Sequence, residues 1–584
     1  MEPIAILIFM TILFLVSAAG FSQFKPPPSL KRIKGKKLDN NQFGNEKFAD
    51  RKMIKKMYSK VLFDPKNWRK NGGDPGLLPG IVVGQITKGN RTYALVENSD
   101  VHAMMLGASG AGKTTYFLYP NIEYALASGA SILVTDTKGD VYKNYAGISE
   151  KNYGYKTCIL DLRNPSCSDG HNIMGMVNMY MDLSRTVPKT SPEYLTYRSK
   201  AEKYAKIIAK TIIAPTDDTE FGANSFFYDA SEGLLTSSIL LVSEFCPDDC
   251  RHIVSVYKII QDLMSGSDKR KSSEFSKIMN MLPENHKARW FAGAALNASD
   301  QGMAAVLSTA MSKLNSFLDT ELEQIICFDS CIDTEKFCSE KTAVFIVLPE
   351  EDNTKHFIVS LIVQQMYREI LTYADEMGGK LKKKVLFFLD EFGSIPRISS
   401  AEMMFSASRS RGMGIVAIIQ SFAQLEKNYG REGCSIICDN TQLTIFGGLA
   451  PSSSAANQFS DSLGKETMQS GYVTLGNSSS TSYSMIEHSL LSPVELRRLE
   501  RGVFIIMKSG SYSMKSKLKL FKDWGIEFDC PRSISAKATK NVCYASKNVL
   551  QSKISEAFNK PFIAEQKKER EKKKDQQLTF TVNY

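Results

Sequence analysis

A chain of 584 residues is too long to close around one hydrophobic core, so two or three domains are expected. An apolar fraction of 43% and a charged fraction of 23% are those of a folded protein, and no internal repeat is visible. The formal net charge of +11 permits an acidic partner, nucleic acid or anionic lipid, without requiring one.

The stretch Pro3–Phe24 carries no charge and Ile4–Val16 is almost wholly apolar, enough for one helix across a bilayer core of about 30 Å. Lys25, Lys31, Arg32, Lys34, Lys36 and Lys37 follow without an acid, which predicts that the rest of the chain faces the cytoplasm. A cleaved secretory signal ending at Ser17-Ala18-Ala19 is the competing reading. It wants a basic leader, and the chain offers only Glu2. A single transmembrane anchor is therefore expected over residues 1–24. A basic cytoplasmic linker, stiffened by Pro26-Pro27-Pro28, is expected over 25–79.

Gly80–Asn98 reads as a small β element, and Val101–Leu106 as a short buried strand. That strand runs into Gly107-Ala108-Ser109-Gly110-Ala111-Gly112-Lys113-Thr114-Thr115, which fits G-x-x-x-x-G-K-[ST], the P-loop pattern. Glycines let such a loop wrap a phosphate with its N–H groups pointing inward. Lys113 is placed to reach the β- and γ-phosphates and the Thr114 hydroxyl to ligate Mg²⁺, so ATP with Mg²⁺ is the expected ligand. A helix over Thr114–Ala127 would aim its positive end at the same point.

Ser131–Asp136 and Lys156–Leu162 are further β-rich runs, completing a first nucleotide-binding part over 80–173. From 174 to 340 the periodicity is helical: Glu202–Ile213, Phe226–Phe245, Ile253–Met264, His286–Phe291 and Met303–Ile326 predict an all-α insertion. Strands resume at Thr342–Leu348, Lys384–Asp390, Gly414–Gln420, Gln442–Phe446 and Val503–Lys508, giving a second nucleotide-binding part over 341–525 and a C-terminal extension over 526–584. The fold class is α/β, a mostly parallel sheet covered on both faces and interrupted by helices. Ser452–Tyr483, rich in Ser and Gly, is expected to include a mobile loop, and Glu565–Asp575 to be a solvated helix or disordered tail. The 11 cysteines lack the rhythm of a disulfide framework, so reduced thiols are the simpler reading. Cys246-x3-Cys250-x-His252 and Cys327-x3-Cys331 could supply zinc ligands but match no finger spacing.

Val385-Leu386-Phe387-Phe388-Leu389-Asp390-Glu391 has the Walker B layout, an apolar strand ending in two carboxylates. Asp390 is placed for the Mg²⁺ shell and Glu391, one residue on, for polarising a water as general base. Gln420 ends the following strand, where a polar group can sense the γ-phosphate. Arg409 and Arg411 lie between the two strands. In ring ATPases an arginine from one subunit completes its neighbour's site, and an oligomer would then be the active species.

At these residues the chain resembles the TraG-like type IV secretion coupling proteins, over most of 75–525. Gly107–Thr115 matches the family P-loop and Asp136-Thr137-Lys138-Gly139-Asp140 its D-P-K-G-[DE]. Asn224–Phe227 through Leu235 is similar to its D-P-F-W…LL helix, Phe388–Phe392 to its L-D-E-[FL], and Leu491–Leu499 to its L-x-P-x-E-L-R-x-L. Ser408–Gly414 with Gln420 resembles its R-x-x-G-[MLY]-G…Q segment. The resemblance puts the finger arginine on Arg409 and the sensing glutamine on Gln420. It implies a RecA-like ATPase domain, an all-α domain that touches cargo, and a homo-hexameric ring at the cytoplasmic membrane. It also implies a role in passing a DNA–relaxase complex, or a protein, to a type IV secretion channel. Many members have two membrane helices, where this chain shows one. A chromosomal translocase of the FtsK type is the alternative, but no multi-helix membrane domain or winged helix is visible. A nucleotide-switched adaptor is another, against which the Asp390-Glu391 pair speaks.

Overall fold

The computed structural model describes residues 36–37, 44–213, 225–264, 272–349, 354–451, 453–474, 480–532 and 537–558. The expected anchor over 1–24 and the charged tail Glu565–Asp575 lie outside them. Among the described residues no helix is long and apolar enough to cross a membrane.

The chain enters with a two-residue strand, β1 (Lys36–Lys37), and then folds where a linker was expected. The helix Arg51–Met57 starts on Asp50, whose carboxylate accepts from the N–H groups of Lys52 and Met53 at 2.7 and 2.8 Å. Strand β2 (Ser59–Leu62) and the helix Pro65–Lys70 follow. Phe63 and Trp68 are buried, edge to face at 4.8 Å, and Trp524 packs on Phe63 at 4.5 Å. β3 (Ile81–Lys88) and β4 (Arg91–Glu97) join β2 in an antiparallel sheet ordered β2-β4-β3.

The main sheet is assembled from β5 (Ala103–Leu106), β6 (Ser131–Asp136), β7 (Lys156–Asp161), β8 (Thr342–Val347), β9 (Val385–Leu389), β10 (Met413–Ile419) and β11 (Leu443–Phe446). A hairpin of β12 (Lys465–Thr474) and β13 (Ser480–Ser489) stands apart with β1. Then β14 (Val503–Lys508) and β15 (Met514–Lys517) return to the main sheet. Its nine strands run β15-β14-β11-β5-β10-β9-β6-β8-β7, parallel except where β14 meets β11 and β15. Alternate residues feed two cores, one per face: Phe387 and Leu389 enter one, Leu386 and Phe388 the other. That double burial is why the parallel strands read as unbroken apolar runs rather than alternating ones.

Between β7 and β8 the described residues are helical, from Gly175–Thr186 to Thr334–Ser339. The helical run Met303–Ile326 is divided between two helices. Asp300–Leu314 ends in a tight turn over Asn315–Phe317, and Asp319 caps a new start by accepting from Leu322 N at 2.7 Å. The helix expected over Thr114–Ala127 opens as a wide π turn, Lys113–Leu118, before the α-helix Tyr119–Ala127. Pro120 has no N–H to give the carbonyl four residues back and its ring crowds that group, which favours the widened turn.

The stretch Ser452–Tyr483, expected to include a mobile loop, also holds the helix Ala455–Leu463 and most of the β12–β13 hairpin; residues 452 and 475–479 lie outside the described residues. Its small residues hid an antiparallel register running from Lys465 opposite Ser489 to Thr474 opposite Ser480. The C-terminal extension is also folded in part. Residues 537–546 pass from the turn after β7, where Lys537 bonds Ser166, to the helical block, where Lys540 bonds Gln324, and the helix Lys547–Phe558 buries Leu550 and Ile554 against that block. Among the described residues, the members of neither zinc spacing gather into a group that could hold an ion. Cys158 meets Cys331, and Cys250 lies 2.7 Å from Cys543, sulfur to sulfur. Each pair unites distant segments, which no local spacing could reveal. His252 Nε2 lies 2.8 Å from the Cys543 carbonyl oxygen.

Candidate active site

Parallel strands deliver their carboxyl ends to one edge, and ligand sites of open α/β sheets form there. At that edge β5 ends in the P-loop, β10 in Gln420, β9 in Asp390-Glu391 and β6 in Asp136. The strand order β5-β10-β9-β6 puts these four ends side by side, although their sequence positions span more than three hundred residues.

Gly110 (φ 77°) and Gly112 (φ 87°) hold the P-loop in a left-handed backbone that a side chain would strain. Neighbouring strand ends fasten it: Gly107 N donates to Ile419 O at 3.2 Å and Ala108 N to Gly448 O at 2.8 Å. Lys113 is buried and its ammonium donates to Gly107 O at 2.7 Å, which sets the charge beneath the loop. Burial lowers its pKa, opposed by the charges of Glu391 and Asp390. Thr114 keeps a hydroxyl with no hydrogen bond to the described residues. Thr115 Oγ1 turns back to Gly112 O at 3.5 Å.

Asp390 is buried, and its pKa is pushed up to about 7, first by burial and then by the charge of Glu391. Its carbonyl accepts from the Thr135 hydroxyl at 3.0 Å. The chain then turns sharply at Glu391, the one non-glycine residue with positive φ among the described residues, at 53°. Such backbone strain collects at functional sites because it aims a side chain where regular structure would not. Here it brings Glu391 against Gln420, whose amide nitrogen donates to both carboxylate oxygens at 2.9 Å.

Asp136, quoted above only within a motif, organises the neighbouring turn. Its carboxylate accepts from the N–H groups of Lys138, Gly139 and Tyr142 at 3.2, 2.8 and 2.9 Å. Burial raises its pKa against those three bonds. Arg163 donates to the carbonyls of Thr137 and Lys138 and pins the same turn.

Arg409 is not in this cluster. It is exposed in the turn that precedes β10, and Met413, which starts that strand, is level with Val385 at the opposite edge of the sheet. The length of β10 puts it about 20 Å from the P-loop of its own chain. There its charge faces His102, a buried imidazole pushed down to about 4, chiefly by burial. Arg411 pairs with Asp375 at 3.3 Å. The edge carrying the P-loop thus offers an anion cradle, an ammonium, a free hydroxyl and a carboxylate of the kind that holds a hard divalent cation. Beside them stands a second carboxylate tied to a glutamine.

The family model of type IV secretory system conjugative DNA transfer matches residues 50–577. The type IV secretion system-coupling protein VirD4 of Bartonella quintana (strain Toulouse) is 22% identical over 350 residues, 59% of this chain and 50% of the relative. VirD4 of Bartonella henselae is 21% identical over 352 residues, so the chain spans about half the length of these curated relatives. Among solved structures, the bacterial conjugative coupling protein TrwBdeltaN70 aligns with 86% of this chain and 100% of its own, at 15% identity and a TM-score of 0.54. The complex of TrwB with the ATP analogue ADPNP gives 0.53 at 15% identity, over 85% of this chain and all of the other. These likenesses establish a shared α/β fold around a mostly parallel sheet. With the family match over residues 50–577, the chain belongs to the conjugative DNA transfer family of type IV secretory systems, the type IV coupling proteins.

Proposed function

We propose that this chain is a coupling ATPase, binding ATP with Mg²⁺ in the P-loop and using hydrolysis to move DNA, or a nucleoprotein such as a DNA–relaxase complex, into a type IV secretion channel. The observation that carries the proposal is the contact of Glu391 with Gln420 beside Asp390 and Lys113, at the mouth of the loop. The loop N–H groups and Lys113 hold phosphate. Thr114 and Asp390 are the residues that would hold Mg²⁺, which supplies charge to offset that of the phosphates. Glu391 orients and deprotonates the attacking water. Gln420, bonded to that carboxylate and fixed at the end of β10, would pass a change at the site into the sheet. Arg409, at the far edge, can serve only a neighbour's site, which fits a ring of copies and a hexamer as in the family reading. Residues 1–24 would anchor the ring in the cytoplasmic membrane.

The test is ATP hydrolysis by the full chain with and without single- and double-stranded DNA, at two salt concentrations. Stimulation by DNA that fades as salt rises is expected, since phosphate contacts release counterions. Hydrolysis indifferent to DNA would overturn the DNA-motor reading.

Asp390 gives a second expected result. A carboxyl titrating at about 7 is partly protonated at neutral pH, and a cation displaces that proton. Calorimetric titration with Mg²⁺–nucleotide at pH 7, in buffers of different ionisation enthalpy, should show proton release that Asp390→Asn removes. The sign for folding is opposite. A raised carboxyl pKa contributes stability below its unfolded value, and that contribution is lost as pH rises from about 4 to about 7. Without nucleotide, Asp390→Asn should therefore raise the Tm at pH 8 and change it little at pH 4.

A further inference from the structure

An antiparallel strand added to a parallel sheet brings its first residue, not its last, to the edge where the parallel strands end. β14 is such a strand. Phe446 of β11 lies opposite Ile505 of β14 and level with Leu106, the residue before the P-loop. The turn ahead of β14, Glu500-Arg501-Gly502, is therefore set beside the loop. Tyr116 locks it there. A methyl on Gly502 (φ +80°) would lie 2.8 Å from the Tyr116 ring, and one on Gly112 would lie 2.6 Å from the same ring. One aromatic side chain is thus wedged between the last glycine of the loop and this turn.

Arg501 reaches over the middle of the loop. Its Nη2 is 3.6 Å from where a methyl on Gly110 would sit. The side chain is exposed, and it has neither ion pair nor hydrogen bond with the described residues. A guanidinium without a partner, held against a backbone loop whose N–H groups are arranged for an anion, is matched to phosphate by charge and by its fork of donors. Gly110 precedes Lys113 by three residues. The loop backbone faces the α- and β-phosphates, whereas the lysine reaches the β and γ.

We propose that Arg501 contacts the α- and β-phosphates of the nucleotide held in the P-loop of its own chain. The inference rests on the nucleotide reading of that loop and adds a binding residue from the opposite end of the sequence. The two arginines then differ in what they serve. Arg501 grips what ATP and ADP share, and Arg409 stands where only a neighbour can use it.

The experiment measures binding of mant-ADP and of a non-hydrolysable mant-ATP analogue to the full chain. Arg501→Ala should raise both dissociation constants about tenfold, the loss expected for one charge-assisted hydrogen bond, and Arg501→Lys should recover part of it. Dissociation constants within twofold of wild type for both nucleotides would overturn the proposal. So would a loss confined to the ATP analogue, which would put the guanidinium on the γ-phosphate. Melting without nucleotide separates contact from support. An unchanged Tm is expected, and a lowered Tm with binding that Arg501→Lys does not restore would assign a structural role instead. Lys113→Ala run alongside should abolish binding; binding that survives it would defeat the nucleotide reading itself rather than the role of Arg501.

Discussion

Glu391→Gln is expected to lower kcat for ATP hydrolysis by about 10²- to 10⁴-fold while nucleotide binding persists. In the wild type both carboxylate oxygens accept from the Gln420 amide nitrogen. Glutamine at 391 has one oxygen and one NH₂ in that position. It can accept one of those bonds, meets the other donor with a donor, and cannot take a proton from water. The same change removes the neighbouring charge that helps hold Asp390 protonated, so Asp390 should titrate lower and accept a cation more readily at neutral pH. Steady-state hydrolysis alongside mant-ADP binding separates the two effects. A variant hydrolysing within tenfold of wild type would remove Glu391 from the role of base.

The second large effect lies in the fold. Arg69→Ala is expected to destabilise the protein by about 3–5 kcal/mol, the range for stranding one member of a buried ion pair. Arg69 grips Glu123 with two parallel bonds of 2.8 and 2.7 Å, and Glu123 is fully buried on the helix that follows the P-loop. Tyr153 donates to the same carboxylate at 2.6 Å, and the guanidinium also reaches the Glu527 carbonyl at 2.6 Å. Removing the arginine leaves a carboxylate among apolar neighbours with one hydroxyl for company. Chemical denaturation of wild type, Arg69→Ala and Arg69→Ala/Glu123→Gln measures it. The double variant should recover much of the loss, because the uncompensated charge is gone.

Much of the site was legible because its parts are short and local. A glycine-rich loop after an apolar run, and an apolar run ending in Asp390-Glu391, need only neighbouring residues to be recognised. Gln420 was found by its place at a strand end, but its bond to Glu391 required the strand order, which periodicity does not encode. Arg501 lies in a turn whose importance comes from the reversed direction of β14, and no local pattern marks that reversal. The folded segment over 50–70 was hidden by its basic composition. Lys52, Lys55, Lys56 and Lys60 stay in solvent while Phe63, Trp68 and the guanidinium of Arg69 turn inward. The β12–β13 hairpin was hidden by serine and glycine, residues that usually mark loops but here lie in a paired ladder.

The path of the last described residues bears on how force could pass through the molecule. Lys537 ties to Ser166 and Asp169, Lys540 exchanges two 3.0 Å bonds with Gln324, and Ala545 N meets Ser255 Oγ at 3.0 Å before the final helix docks. A block inserted between two strands by two connections alone would behave as a door on one hinge line, free to swing when load is applied to its outer face. The contacts of residues 537–558 act as a diagonal brace across that door. Load on the helices is then shared with the turn that follows β7, so the two parts are geared rather than merely joined.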